Sequence, residues 1–430
     1  MADRLTAAPV GATQRIESLD VLRGFAVLGI LVMNIMTFAM PLAAYMNPTV
    51  YPELTPLNQW TFRVVHVVFD LKMMALFSML FGAGAVVWAS KPEERERPGA
   101  LRAVWLRRMG WLLVIGMIHA WLLWEGDILV TYALCGLLVL WWIRRLPAPW
   151  LLGAAGVLFA VHALLNAFAG WITAEMFAES SVITSGMSPE ELGRARSGML
   201  EWMDPTQEQV AEQLDALRGS WWDTFEHRAG STLMFQLQAL PMYLFWRAAA
   251  LMALGAALMK WRVFTGERSA RFYAGMAVAG YALGLPLVLA GLLYNESHGY
   301  DVVRSSLVGS WGNLLGSVPV ALGHAGVLLL VVRLGLVRTV TLGLARAGQM
   351  AFTNYLMQSV LCSLIFYGFG LGLAGELNRP AQALVAVGIW LVEILWSVAW
   401  LSRFRFGPAE WLWRSLTYWR LQPMRLDAHR

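Results

Sequence analysis

Long apolar runs separated by short polar connectors dominate this chain. Ten apolar spans are expected, at 20–41, 62–89, 103–123, 127–143, 149–172, 232–259, 272–294, 312–333, 351–374 and 381–402. A helix of about 20 residues, rising about 1.5 Å per residue, crosses the hydrocarbon of a bilayer. The pattern therefore predicts an all-α integral membrane protein built as a bundle of about ten transmembrane helices. The first span, LDVLRGFAVLGILVMNIMTFAM (19–40), carries Asp20 and Arg23 at its entrance and Asn34 well inside. At 100° per residue these three share a face with Val27 and Leu31. Unpaired polar groups in hydrocarbon cost several kcal/mol, so this face is expected to meet protein or water, and the first helix lines something.

The connectors alternate in charge. Segments near Arg102, Arg107 and Arg108, Arg144 and Arg145, Lys260 and Arg262, and Arg338 and Arg346 are basic, as are the leader (Arg4, Arg15) and the tail. Those between them are acidic or nearly neutral, and 173–231 holds eleven acidic residues against four arginines. The positive-inside rule then puts both termini in the cytoplasm. The chain divides into a cytoplasmic leader (1–19), a five-helix membrane half (20–172), an extracytoplasmic helical loop (173–231), a second five-helix half (232–402) and a cytoplasmic interfacial tail (403–430). Within the loop, Ser188 followed by Glu191 reads as a capping box, and two short helices are expected against the outer face. The tail, with Trp411, Trp413 and Trp419, has the composition of an interfacial helix.

Composition agrees: 58% of residues are hydrophobic and only 14% charged, where a soluble domain averages about 25% charged. The net charge of +5 sits at helix ends, where topology accounts for it, so nucleic acid is not an expected partner and membrane lipid is. Cys135 and Cys362 lie in apolar runs and read as small packed hydrophobes, and no metal site is expected. The first apolar run is long enough to be a retained anchor.

Several polar residues fall inside spans. His119 and Asp127 flank the turn Trp124-Glu125-Gly126 in GMIHAWLLWEGDILVTYAL (116–134). A carboxylate beside an imidazole orients it and raises its basicity, which is how a general base is built. A histidine bonded to a carbonyl and an aspartate that only caps the next helix fit these residues equally well. His66 and Asp70 are four apart and share a helical face, whereas Lys72 points elsewhere and needs its own partner or must snorkel. Arg247 and Glu393 lie deep, and an Arg247–Glu393 pair is one arrangement that would satisfy both. His162 and His324 read as satisfied interior histidines. Asn354 and Gln358, in GQMAFTNYLMQS (348–359), are expected to bond another helix. By depth these residues sort into an inner cluster (Asp20, Arg23, Asn354, Gln358) and an outer one (His66, Asp70, His119, Asp127), with Asn34 between.

The segments RIESLDVLRGFAVLGILVMNI (15–35), LFSMLFGAG (76–84), HAWLLWEGDILVTYAL (119–134), GQMAFTNYLMQS (348–359) and FGPAEWLWRSLTY (406–418) resemble the YeiB-like bacterial membrane proteins, a family defined by a domain of unknown function. The opening LDVLRG is also similar to membrane acyltransferases, including heparan-alpha-glucosaminide N-acetyltransferase and bacterial sugar O-acyltransferases. That resemblance implies a bacterial inner-membrane protein and transfer of an acyl group from cytoplasmic acyl-CoA or acetyl-CoA to an acceptor across the bilayer. The sugar O-acyltransferases often end this helix in a catalytic histidine; here the position holds Asn34, as in the lysosomal enzyme, so the base must come from elsewhere, His119 or His66.

Three functions follow as expectations. In acyl transfer, Arg23, with Lys72 or Arg107, holds the anionic donor. His119 with Asp127, or His66 with Asp70, deprotonates an acceptor hydroxyl or amine, and Asn34 binds the thioester carbonyl. In transport, buried Asp70, Arg247, His324 and Glu393 bind and couple a small metabolite, with a proton gradient as one driving force. In a lipid-binding scaffold the polar residues serve packing alone. The faces bearing Gly82 and Gly84 suit close approach of a second copy, so a homodimer is compatible with the sequence.

Overall fold

The computed structural model describes residues 16–90, 98–178 and 186–426. Arg4, Arg15, most of the leader, the segments 91–97 and 179–185 and the last four residues lie outside them. Besides a single turn at Ala43–Met46, the helices are α1 (Glu17–Ala39), α2 (Pro56–Val68), α3 (Lys72–Ala89), α4 (Pro98–Leu122), α5 (Leu129–Ile143), α6 (Ala148–Phe177), α7 (Pro189–Met203), α8 (Gln207–Arg218), α9 (Trp221–Lys260), α10 (Ala270–Ser297), α11 (Val302–Leu334), α12 (Arg338–Gln349), α13 (Ala351–Phe366), α14 (Arg379–Leu401) and α15 (Pro408–Tyr418).

Every expected span contains a helix, but they differ in kind. Seven helical stretches among the described residues are long and apolar enough to cross a membrane: α1, α2 with α3, α6, α9, α10, α11 and α14. The chain is a multipass all-α membrane protein. Two further apolar helices, α5 and α13, are shorter, and α4 carries Arg102, Arg107, Arg108 and His119 along its length.

Helix α1 sits at the centre, packed by α3, α12, α13 and α14. Helix α9 joins α3 to α6, α10 pairs with α11, and α15 lies on α4. Close approach at the centre depends on absent side chains. A Cβ on Gly82 would overlap the Met252 carbonyl, and one on Gly255 would overlap the Met79 carbonyl. The face bearing Gly82 is thus occupied by α9 of the same chain.

Two irregularities shape the bundle. The span expected at 62–89 is broken: α2 stops at Val68, Leu71 turns left-handed (φ 59°), and α3 restarts at Lys72. A non-glycine residue there is strained, and the surrounding bonds must hold it. In α9 a π-helical stretch, Phe235–Leu244, contains Pro241; the wider turn accommodates the missing N–H. This span also begins earlier than expected, at Trp221, with Ser220 and Asp223 forming a capping box.

The two short helices expected in 173–231 are α7 and α8, and the Ser188–Glu191 capping box forms. Helix α8 lies over one end of the bundle. Its Val210, Leu214 and Leu217 join a core cluster with Trp124, Phe366 and Tyr367, and Arg218 Nε donates to the Ala374 carbonyl at 2.7 Å. At the other end Arg108 lies 3.7 Å from the Trp413 ring centre, and Trp413 donates to the Arg108 carbonyl at 2.8 Å, which pins α15 to α4.

Overpacking a tight helix contact costs about 1–3 kcal/mol. Gly82→Val is therefore expected to lower the melting temperature of the detergent-solubilised protein by several degrees. Gly153→Val, where a Cβ meets open space, is expected to leave it unchanged; equal melting temperatures would contradict this packing.

Candidate functional site

The most chemically specific arrangement lies where α4, the 123–128 turn and α13 meet. His119 is in the last turn of α4. Its Nδ1 is 2.7 Å from Asp127 Oδ2, and its Nε2 is 2.8 Å from Ser359 Oγ on α13. Asp127 Oδ1 accepts the Val130 N–H at 2.8 Å, so the same carboxylate caps the first turn of α5. With both Asp127 oxygens accepting, the network assigns the imidazole proton to Nδ1. Nε2 is then the acceptor, and the Ser359 O–H donates to it.

Local sequence explains the geometry. A Cβ on Gly116 would lie 2.8 Å from the Val130 nitrogen and 3.1 Å from Asp127 Oδ1, so a glycine lets the turn fold back onto α4. Gly126 lies beneath the Trp124 indole, where any side chain would collide. Trp124 Nε1 donates to Thr37 Oγ1 at 3.1 Å, which ties the turn to α1. Tyr355, one turn before Ser359, accepts the Ile128 N–H at 3.2 Å, and its ring centre is 5.2 Å from that of His119. His119, Asp127 and Ser359 are all buried. The sequence pointed to His119 and Asp127 as a pair. It missed Ser359, whose only signal was its place at the end of the 348–359 segment.

His66 and Asp70 do share a face, 3.1 Å apart, but their network is separate. Asp70 accepts from Tyr45 at 2.7 Å and from Asn313 at 2.6 Å. Lys72 does not snorkel: it is buried and donates to Asn313 Oδ1 at 2.6 Å and to the His66 carbonyl at 2.7 Å. His324 donates from Nε2 to the Val68 carbonyl at 2.9 Å and accepts from Tyr281 at 2.8 Å. Lys72 and His324 thus take up carbonyls freed where α2 ends, so this cluster holds the helix break. The outer cluster expected from depth is two networks with no shared bond. Asn313, inside the span 312–333, and Tyr45, in the connector after the first span, are central to one of them and were missed.

Arg247 and Glu393 do not pair. Arg247 bonds Ser317 Oγ at 2.7 Å on α11, and Glu393 accepts from Gln358 at 2.9 Å. Depth along a helix does not fix the direction in which a side chain points. Gln358 also donates to the Val27 carbonyl at 3.2 Å, and Asn354 donates to Ser397 at 3.1 Å and to the Ala347 carbonyl at 3.1 Å. These amides therefore bond other helices: α14 through Ser397 and Glu393, α1 through Val27 and α12 through Ala347. Asp20 and Arg23 pair at 3.2 Å, with the Arg23 side chain still 32% exposed. They share no bond with Asn354 or Gln358, so the inner cluster also separates. Asn34 is half-buried, and its side-chain amide bonds no described residue. His162 is buried with its ring against Tyr243, 4.5 Å between ring centres.

Glu410 of α15 closes the start of α13. It accepts from the Phe352 and Thr353 N–H groups at 2.8 and 3.2 Å and from the Thr353 hydroxyl. Desolvation at that junction holds its carboxyl above the ordinary range, against the pull of those donors.

Residues 258–420 match a family described as "Protein of unknown function (DUF418)". Over 414 residues the chain is 30% identical to "Uncharacterized protein YeiB" of Escherichia coli (strain K12), covering 94% of this chain and 96% of that one. The chain belongs to the YeiB family. It is likewise 30% identical over 434 residues to "Uncharacterized protein YxaH" of Bacillus subtilis (strain 168), 97% of each chain. It is 24% identical over 435 residues to an uncharacterized 39.9 kDa protein of Bacillus acidopullulyticus, covering 97% of this chain and 98% of that one. No solved structure matches. In this YeiB-family chain the His119 relay and the 348–359 segment both fall within these full-length alignments.

Two amides test the partner assignments. Asn313→Ala leaves Lys72 and Asp70 without their shared bridge and is expected to cost about 1–3 kcal/mol. Asn34→Ala is expected to cost less than about 0.5 kcal/mol. Equal losses in denaturant unfolding in micelles would contradict the assignments.

Proposed function

We propose that this chain is a transmembrane acyltransferase with ten crossings and both termini in the cytoplasm, in a bacterial inner membrane. It would move an acyl group from cytoplasmic acyl-CoA to a hydroxyl or amine reached from the other side. The observation that carries this reading is the carboxylate–imidazole–hydroxyl relay of Asp127, His119 and Ser359. A base whose Nδ1 proton is fixed by a carboxylate, and whose Nε2 faces a hydroxyl, is the arrangement that acyl transfer needs. His119 takes the proton, and Asp127 orients the ring and stabilises the imidazolium.

Other residues take narrower roles in this reading. Arg23, half-exposed beside Asp20, is available to anionic groups of the donor. Asn34, whose side-chain amide bonds no described residue, is available to a thioester carbonyl. Asn354, Gln358 and Glu393 hold α13 in register, while His66, Asp70, Lys72 and Arg247 hold α2, α3, α9 and α11 together rather than meeting substrate. The relay is buried, and Trp124 shares a core cluster with Val210, Leu214 and Leu217 of α8, so acceptor entry on this reading requires α8 to lift.

A second reading, transport, is favoured by one observation. A broken span with Asp70 and Lys72 at the break is a form that transporters use to bind solutes. Against it, each of these groups already has a protein partner.

The test uses the purified full chain with acetyl-CoA and octanoyl-CoA. Acyl-CoA at about 100 times its dissociation constant is expected to stabilise the protein by about 2–3 kcal/mol. CoA thiol release is expected to depend on His119 and to fall at least about 10²-fold in His119→Gln. No thermal shift and no thiol release with either donor would sink the enzyme reading; proton-gradient-dependent solute uptake by the same preparation in proteoliposomes would install transport instead.

A further inference from the structure

We propose that Ser359 is a nucleophile, and that the acyl group rests on its oxygen as a covalent ester before it reaches the acceptor. This inference rests on the acyl-transfer reading for the identity of the donor, but not for the reactivity of the serine.

A hydroxyl in a membrane helix ordinarily satisfies itself on the carbonyl one turn earlier. Thr61 and Thr173 do so, both at 2.9 Å. Ser359 does not. Its only hydrogen bond among the described residues is to His119 Nε2. Buried and pointed at a base whose other nitrogen faces a carboxylate, its oxygen has the surroundings that activate a weak nucleophile.

The position of Ser359 also suits a relay between two faces. It lies about 12 Å along α13 from Ala351 and about 10 Å from Phe366. A charged donor that stays on one side and an acceptor that stays on the other need not meet if a fixed residue between them carries the acyl group.

The chemistry balances in two steps. In the first, Ser359 Oγ attacks the thioester carbonyl as its proton passes to His119 Nε2. A C–O bond forms, the C–S bond breaks, and the Nε2 proton goes to the departing thiolate, which leaves as CoA thiol. In the second, the acceptor hydroxyl or amine gives its proton to Nε2 and attacks the ester carbonyl. The bond to Oγ breaks, and Oγ takes the proton back. Nothing is oxidised or reduced, and the net reaction is acyl exchange from sulfur to oxygen or nitrogen.

The experiment treats the purified full chain in detergent with an alkyl fluorophosphonate and, separately, with radiolabelled acetyl-CoA and octanoyl-CoA, and locates adducts by peptide mass spectrometry. The fluorophosphonate is expected to modify Ser359 and to release fluoride. Labelling should fall at least about 10³-fold in Ser359→Ala and in His119→Gln. Circular dichroism and melting temperature confirm that each variant is folded, and Ser359→Cys, which keeps a nucleophile, should accept an acyl group as a thioester. Acyl label on Ser359 from either CoA ester supports the whole proposal. Fluorophosphonate label without acyl label supports the nucleophile and overturns acyl-CoA as the donor. CoA release at the wild-type rate in Ser359→Ala overturns the covalent step and leaves direct transfer standing. Acyl label on His119, or no fluorophosphonate adduct on the folded chain, overturns the nucleophile.

Discussion

Inside an apolar bundle a polar side chain has no water to turn to, so its partner must come from another helix. The register of α13 follows from that constraint. Asn354 and Gln358, one turn apart, bond Ser397 and Glu393 of α14, and Glu410 clamps the first amides of the helix. Ser359 follows Gln358 by one residue, about 100° around the helix. With the amide face held on α14, the serine is turned towards α4, where His119 waits. Loosening the amides would therefore blur the relay even though they touch none of its atoms.

The same constraint separates holding from reacting. Around the α2–α3 break, Asp70, Lys72, Asn313 and His324 answer carbonyls or one another, and the strained Leu71 turn survives because they do. Glycines do the complementary work: Gly82 and Gly255 bring the backbones of α3 and α9 into contact, and Gly116 lets the Asp127 turn reach α4. In the His119 network a hydroxyl, an imidazole and a carboxylate stand in the order of a proton relay, whereas the Tyr281–His324 chain ends on a backbone carbonyl.

Much of this was legible in the sequence, and the failures have physical causes. Hydropathy located a helix in each apolar run, because length and polarity are read along the chain. It did not reveal the break after Asp70, where neither glycine nor proline marks the turn and a tertiary network pays the cost of Leu71. His119 and Asp127 were legible as a pair because only a short turn separates them. Ser359 is 240 residues from His119, and serine is too common in membrane helices to stand out. Depth suggested clusters and an Arg247–Glu393 pair, but contacts depend on azimuth, which one sequence does not encode. Asn34 stood out for its place in the first helix, and its amide bonds no described residue rather than lining a continuous polar wall.

The relay depends on which nitrogen of His119 carries the proton. Solid-state NMR of the ¹⁵N-histidine-labelled protein in lipid, with His119→Gln to assign the resonance, reads it directly. The expected result is a neutral ring protonated at Nδ1, with Nε2 accepting from Ser359. A ring protonated at Nε2, with the serine reduced to an acceptor, would contradict the relay.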